Sequence, residues 1–155
     1  MPYNVEIKTT EAQPLAVVKF TAGVAEMGDK IGAAFGEVMQ YLMQTGAQIA
    51  GPAIGYYEQL GNERFNVSAG FLVAAPIDGN GSVVPFELPA GKVATTMHAG
   101  PYETLPEAYA AITEQSKAIG AEIDMTSPMW EEYLTGPEVP PEQTRTLIFW
   151  PVKQE

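Results

Sequence analysis

The sequence predicts an α+β domain in which two similar halves each supply a strand, a helix and two further strands. Three observations carry this prediction. Short segments recur in the same order in both halves, each half contains one stretch of helical periodicity, and the other apolar segments are short, rich in Val, Thr and aromatic residues, and bounded by Gly or Pro. The expected architecture is a mostly antiparallel sheet with both helices packed on it.

A duplication is indicated by three pairs of similar segments whose order and spacing agree in the two halves. The turn-rich stretch Ile77–Ser82 separates the halves. We therefore expect a single domain over residues 1–155, with one repeat at about 1–77 and the other at about 83–155. The paired segments are Phe20–Gly23 with Met97–Gly100, Gly51–Tyr57 with Ser127–Tyr133, and Ala75–Ile77 with Trp150–Val152.

The first helix is predicted between Asp29, a plausible N-cap, and Gly46, which is placed to end it. The second is predicted from Thr104–Glu107, which fits a capping box, to Gly120. Apolar residues at helical spacing support both predictions. These residues are Ile31, Phe35, Val38 and Leu42 in the first helix, and Ala108, Ile112 and Ile119 in the second.

Eight segments favour strands because they are rich in β-branched and aromatic residues and end at turn formers. The four in the first half are Tyr3–Thr9, Leu15–Thr21, Ala53–Glu58 and Phe65–Ala75. The four in the second half are Val83–Leu88, Lys92–His98, Met129–Leu134 and Arg145–Val152.

The composition excludes several classes of function. The net charge of −11 repels phosphate backbones and attracts cations, so we expect no direct binding to nucleic acid. Residues 78–155 hold 12 acidic and 4 basic groups, against 7 and 4 in residues 1–77, so a cation site is expected in the second half. The absence of cysteine and the single histidine argue against a zinc site, and we predict no metal and no cofactor.

The chain carries no apolar run of the roughly 18 residues that a membrane-spanning helix needs. Its first residues also lack the basic end and apolar stretch of a signal peptide. We therefore expect no membrane association and a cytoplasmic location. The sequence leaves open whether the protein is a monomer or a homodimer.

The strand Met129–Leu134 contains the strongest candidate for a functional residue. Side chains alternate across a strand, so Glu131 shares a face with Met129 and Tyr133, whereas Trp130 and Glu132 share the other. One interpretation places Met129 and Tyr133 in the core and leaves Glu131 on a solvated edge. The other places Glu131 in a ligand pocket.

The repeat favours the pocket. Matching the halves sets Gly55 and Tyr57 against Glu131 and Tyr133, so both halves carry the tyrosine but only one carries the acid. A carboxylate between aromatic walls suits a flat cation, and its pKa should be raised in the absence of that cation. Cation–π attraction then adds about 0.5–2 kcal/mol for each aromatic face.

Three motifs stand out in the second half, and they are His98–Leu105, Pro128–Pro137 and Thr146–Val152. Together with Gly51–Tyr57 they cover essentially the whole chain. In type and order they resemble the GyrI-like small-molecule-binding domain, the family that also supplies effector-binding domains of multidrug-responsive transcription regulators. Since the predicted helices belong to the duplicated fold, we expect no DNA-binding domain in this sequence.

The resemblance implies a ligand cleft between the repeats, with Glu131 as its acid. It also implies that Tyr102 and Phe149 line the pocket beside Tyr57 and Tyr133. By strand parity we expect Trp130 and Trp150 on the face opposite these residues, packed in the core. For His98 we expect a hydrogen bond to nearby backbone at a turn.

The leading hypothesis is a binding protein for lipophilic, aromatic, cationic small molecules. The resemblance also implies two alternatives. One is a hydrolase of strained electrophiles such as cyclopropanoid natural products, with Glu131 as general base and Tyr133 or Tyr57 as proton donor. The other is an acidic protein that acts on gyrase as its protein partner. On balance we expect a binding protein and not an enzyme.

Overall fold

The computed structural model describes residues 3–101, 104–124, 126–135 and 139–153. Within them lie two α-helices, α1 (Val24–Thr45) and α2 (Leu105–Ala118), and eight strands. The predicted α+β class and all eight predicted strands are confirmed. No helix among these residues is both long and apolar enough to span a bilayer. The strands are β1 (Glu6–Thr10), β2 (Gln13–Gly23), β3 (Ile49–Gly61), β4 (Arg64–Val73), β5 (Val83–Leu88), β6 (Gly91–Ala99), β7 (Met129–Tyr133) and β8 (Arg145–Pro151).

The strands and helices divide into two units of similar make-up. One unit is the continuous segment Glu11–Pro89, and the other combines Met1–Thr10 with Ala90–Glu155. The units therefore differ from the sequence repeats at two strands, because β1 pairs with β6 and β5 pairs with β2. Each unit contains one helix and four strands.

In the unit Glu11–Pro89 the strand order is β3-β4-β2-β5, and every pair is antiparallel. The helix α1 contacts β2 and β4 through its apolar stripe, which fills the core of this unit. The core residues are Ala16, Val38, Tyr41, Leu42, Val73 and Val83.

In the other unit the order is β1-β6-β8-β7, again with antiparallel pairs throughout. The helix α2 contacts β6 and covers one face of this sheet. Its buried residues, Ala108, Ile112 and Ser116, follow helical spacing. The core of this unit consists of Ala94, Ala108, Ile112, Ile123, Ile148 and Val152.

The helix α1 begins earlier than predicted. Asp29 is not its N-cap, because the helix starts at Val24 after Gly23. The Gly23 N–H donates to the Glu26 carboxylate at 2.9 Å, so the side chain at the third helical position bonds back to the N-cap backbone. The predicted end is confirmed, since Gly46 caps the helix with a φ of 72°.

The helix α2 begins as predicted but without the capping box. Thr104 is the N-cap, yet its hydroxyl donates to the Pro101 carbonyl at 2.9 Å and makes no cap bond. Ile119 is not part of the buried stripe, because it follows the last helical residue and is 63% exposed.

Candidate functional site

The strand β7 directs Glu131 and Tyr133 toward α2. In the register between β7 and β8, Glu131 lies opposite Ile148, a residue of the core beneath that helix. The Tyr109 hydroxyl of α2 reaches the same face, 3.8 Å from the Met129 sulfur. The side chain of Glu131 therefore points into the space between a sheet and its covering helix.

The carboxylate of Glu131 is buried, with only 7% of the residue exposed. Its Oε1 accepts a hydrogen bond from the Tyr133 hydroxyl at 2.8 Å, and its Oε2 accepts one from the Tyr109 hydroxyl. No salt bridge among the described residues involves Glu131. The hydrogen-bond donors to this carboxylate are thus two neutral phenols, whereas a buried carboxylate ordinarily has a cationic partner.

Burial raises the pKa of Glu131 above its usual value, because the charged form loses hydration. Hydrogen bonds from Tyr109 and Tyr133, and then the proximity of His98, act in the opposite direction without cancelling the effect. A cation beside the carboxylate would favour the charged form. The group is suited to exchange a proton for a cationic ligand.

Tyr109 is a member of the site that the sequence prediction missed. It lies on α2 one turn after Leu105, and its ring meets Trp150 edge to face with centroids 5.6 Å apart. The signal was present, since a tyrosine four residues from Leu105 borders the predicted apolar stripe. Its contact with Glu131 spans 22 residues of chain and depends on the packing of α2 on the sheet.

The register between β7 and β8 decides the faces of the two aromatic residues of β8. Trp130 lies opposite Phe149 in the register and stacks on it, with ring centroids 5.5 Å apart, so Phe149 is on the face away from Glu131. Trp150 lies on the Glu131 face with Tyr109, and its predicted placement on the opposite face is wrong. Parity fixes alternation within one strand, but register between strands decides which side chains share a face.

Two further predicted pocket residues are Tyr57 and Tyr102. Tyr57 is a buried residue of β3 in the unit Glu11–Pro89, where its ring meets that of Phe65 at 6.4 Å. Tyr102 lies outside the described residues. Their predicted roles in ligand binding stay predictions.

His98 takes part in a buried hydrogen-bond network beside the site, and the predicted bond to backbone at a turn is confirmed. Its Nε2 lies 2.9 Å from the Pro101 carbonyl, which only accepts, so Nε2 carries the proton and donates. Nδ1 lies 2.9 Å from the Tyr3 hydroxyl. The ring is 1% exposed, and both of its nitrogens are engaged.

Glu132 provides an internal comparison for Glu131. Alternation along β7 places it on the opposite face, where its register partner is Leu147. Burial raises the pKa of Glu132 too, but no tyrosine hydrogen bond to it is found in the described part of the chain. Within that same part, no group of three His, Cys, Asp or Glu side chains is arranged to hold a metal ion.

The sequence matches the family model described as the GyrI-like small molecule binding domain over residues 3–153. No curated protein matches the chain. Among solved structures, the C-terminal domain of EcmrR is similar with a TM-score of 0.82 and 20% identity, and 100% of each chain is covered.

Two further solved structures are similar at lower scores. A hydrolase from Listeria innocua has a TM-score of 0.67 and 14% identity, with 98% of this chain and 93% of that chain covered. SAV2435 bound to tetraphenylphosphonium has a TM-score of 0.61 and 15% identity, with 99% of this chain and 94% of that chain covered. At these identities the likeness establishes a common fold.

Proposed function

The chain belongs to the family of GyrI-like small molecule binding domains, and from this premise we propose that it binds lipophilic aromatic cations through Glu131. The observation that carries the proposal is a buried carboxylate that two tyrosines contact and that forms no salt bridge within the described residues. A bound cation would supply the missing counter-charge. The net charge of −11 would favour its approach.

The aromatic surroundings support the same class of ligand. Tyr109, Tyr133 and Trp150 lie on the Glu131 face, and their rings can pack on a flat or aromatic ligand. SAV2435, which has the same fold, is bound to tetraphenylphosphonium, a lipophilic cation. Such a site derives its affinity from charge and apolar contact, so we expect it to accept cations of several shapes.

The test is a titration of the purified protein with tetraphenylphosphonium, followed by calorimetry. Glu131→Gln removes the charge with little change in size and should weaken binding by about tenfold to hundredfold, the range for hydrogen bonds and contacts to a charged group. Glu132→Gln is the matched control, because it neutralises the neighbouring acid on the other face. Equal affinities for the wild type and Glu131→Gln, or no binding by the folded wild type, would contradict the proposal.

A second candidate function is hydrolysis of an electrophilic ligand. The observation that favours it is a single group in which a carboxylate of raised pKa contacts two phenolic hydroxyls. Glu131 could then activate water to attack a carbon of the strained ring, while Tyr133 or Tyr109 donates a proton to the carbonyl oxygen that takes up the electron pair of the broken ring C–C bond. A solved hydrolase from Listeria innocua shares the fold.

Mass analysis of the recovered ligand separates the two functions. A strained electrophile of the cyclopropane class would be recovered with one added water if the site hydrolyses it, and unchanged if the site only binds. Glu131→Gln should abolish the addition of water while a neutral analogue still binds. Recovery of unchanged ligand from every variant would exclude hydrolysis of that class.

A further inference from the structure

The hydroxyl of Thr146 is a buried polar group without a hydrogen-bond partner among the described residues. Thr146 lies on β8 and is 0% exposed. In the sheet register it is flanked by Tyr133 on one side and by His98 on the other. A buried hydroxyl that has lost its hydrogen bonds to water without gaining others destabilises the fold, so its position requires an explanation.

Tyr133 and His98, which flank Thr146, form hydrogen bonds with other residues. The Tyr133 hydroxyl donates to Glu131, and the two ring nitrogens of His98 are engaged by Tyr3 and Pro101. A threonine hydroxyl offers one donor and two acceptor positions. Among the described residues none of these positions is used, and Thr146 lies on the same face of the sheet as Glu131.

Two other buried hydroxyls without partners in the described part of the chain lie elsewhere. Thr95 on β6 has Phe149 as its register partner and so belongs to the face opposite Glu131. Ser116 lies two turns further along α2 than Tyr109. Only Thr146 of these three is the register partner of a residue that contacts the Glu131 carboxylate.

We infer that Thr146 is a ligand-contacting residue that selects aromatic cations carrying a hydroxyl or amino group on the ring. The inference rests on the proposed function and adds a polar contact to the charge contact of Glu131. Such a substituent can both donate to and accept from the threonine hydroxyl. A cation without the substituent would still bind, but it would leave Thr146 unpaired.

Tyr133 is next to both groups in the sheet. It lies two residues from Glu131 along β7 and directly across the register from Thr146. It is half-buried, whereas Glu131 and Thr146 are buried. We expect a ligand that contacts both groups to replace the hydrogen bond from Tyr133 to Glu131.

The experiment compares two probes that differ by one hydroxyl group. Tetraphenylphosphonium and (4-hydroxyphenyl)triphenylphosphonium are titrated into the wild type, Thr146→Val, Thr146→Ser and Thr95→Val. We expect the wild type to prefer the hydroxylated probe by about threefold to tenfold, the ratio that one net hydrogen bond gives. Thr146→Val should lose this preference while retaining its affinity for tetraphenylphosphonium.

The two further variants separate a ligand contact from a general effect on the fold. Thr146→Ser keeps the hydroxyl and should keep the preference, and Thr95→Val removes an equally buried hydroxyl from the other face and should leave it unchanged. The same preference in wild type and Thr146→Val, or its loss in Thr95→Val, would overturn the inference but not the proposed function. Failure of the wild type to bind either probe would overturn both.

Discussion

The hydroxyl of Tyr133 lies 2.8 Å from Oε1 of Glu131, its neighbour but one along β7. Residues two apart on a strand point to the same side, and their side chains are close enough for a phenol to reach a carboxylate. This pair comes from a single strand, whereas the second tyrosine, Tyr109, comes from a helix. The carboxylate therefore joins a sheet to the helix that covers it.

The first prediction concerns stability against pH. The folded state holds the Glu131 proton more tightly than the unfolded chain, since burial raises its pKa above 4.5. The stability from this group is thus complete below pH 4.5 and is lost as the pH rises through the folded pKa. Urea unfolding at several pH values should show that the free energy of unfolding of Glu131→Gln rises relative to that of the wild type as the pH increases through this window.

Glu132 tests whether that gain is specific to one site. Its pKa is also raised by burial, so Glu132→Gln should remove a separate part of the same pH dependence. A wild type and a Glu131→Gln variant whose unfolding free energies run parallel with pH would contradict the prediction.

The second prediction concerns ligand binding against pH. A cation prefers the ionised carboxylate, so below the pKa of Glu131 each binding event must release a proton. The affinity for tetraphenylphosphonium should rise with pH and become constant above that pKa. In Glu131→Gln the same titration should be nearly flat, and a flat wild-type profile would show that Glu131 is not the group in contact with the cation.

The third prediction concerns the two tyrosines. Their hydrogen bonds lower the pKa of Glu131 relative to burial alone, so Tyr109→Phe and Tyr133→Phe should each raise it further. The pH at which affinity becomes constant should move upward in both variants. Tyr56→Phe is the control, because Tyr56 packs against Phe86 in the other unit and should leave the profile unchanged.

The fourth prediction concerns the glycines of α1. At Gly46 the backbone is left-handed, with a φ of 72°, so Gly46→Ala should lower the free energy of unfolding by about 1 kcal/mol. Gly32 lies inside the helix, and a Cβ there would meet nothing within 4 Å. Gly32→Ala should therefore raise the free energy of unfolding by about 0.5–1 kcal/mol. Urea denaturation measures both, and changes of the same sign would contradict the assignment of the helix end.

The fold was predictable because its elements carry local signals. Each strand was predicted from a β-branched and aromatic segment between turn formers. Gly46 marked the C-terminal end of α1, and Thr104 marked the start of α2. The start of α1 was misplaced because Asp29 is a good N-cap residue in sequence, whereas Glu26 supplies the bond that starts the helix. The start of the helix depends on whether the Asp29 or the Glu26 side chain bonds to nearby backbone.

The site was predictable only along its own strand. Alternation in β7 places Tyr133 beside Glu131, and the structure brings these two together. The faces that Phe149 and Trp150 occupy depend on the register between β7 and β8. The contact of Tyr109 with Glu131 depends on the packing of α2 on the sheet. The sequence places Tyr109 at the border of the apolar stripe of α2, but the contacts of all three residues are set by partners far along the chain.

The pairing of β1 with β6 has a consequence for the order of events during synthesis. The segment Glu11–Pro89 is a compact unit with its own helix and four strands, so we expect it to fold once it has left the ribosome. The strand β1 is made before it but must wait, with its hydrogen-bonding edge unpaired, until β6 has emerged. We expect protease treatment of stalled nascent chains to cut β1 until residues beyond Ala99 are outside the exit tunnel, and to spare the segment behind it.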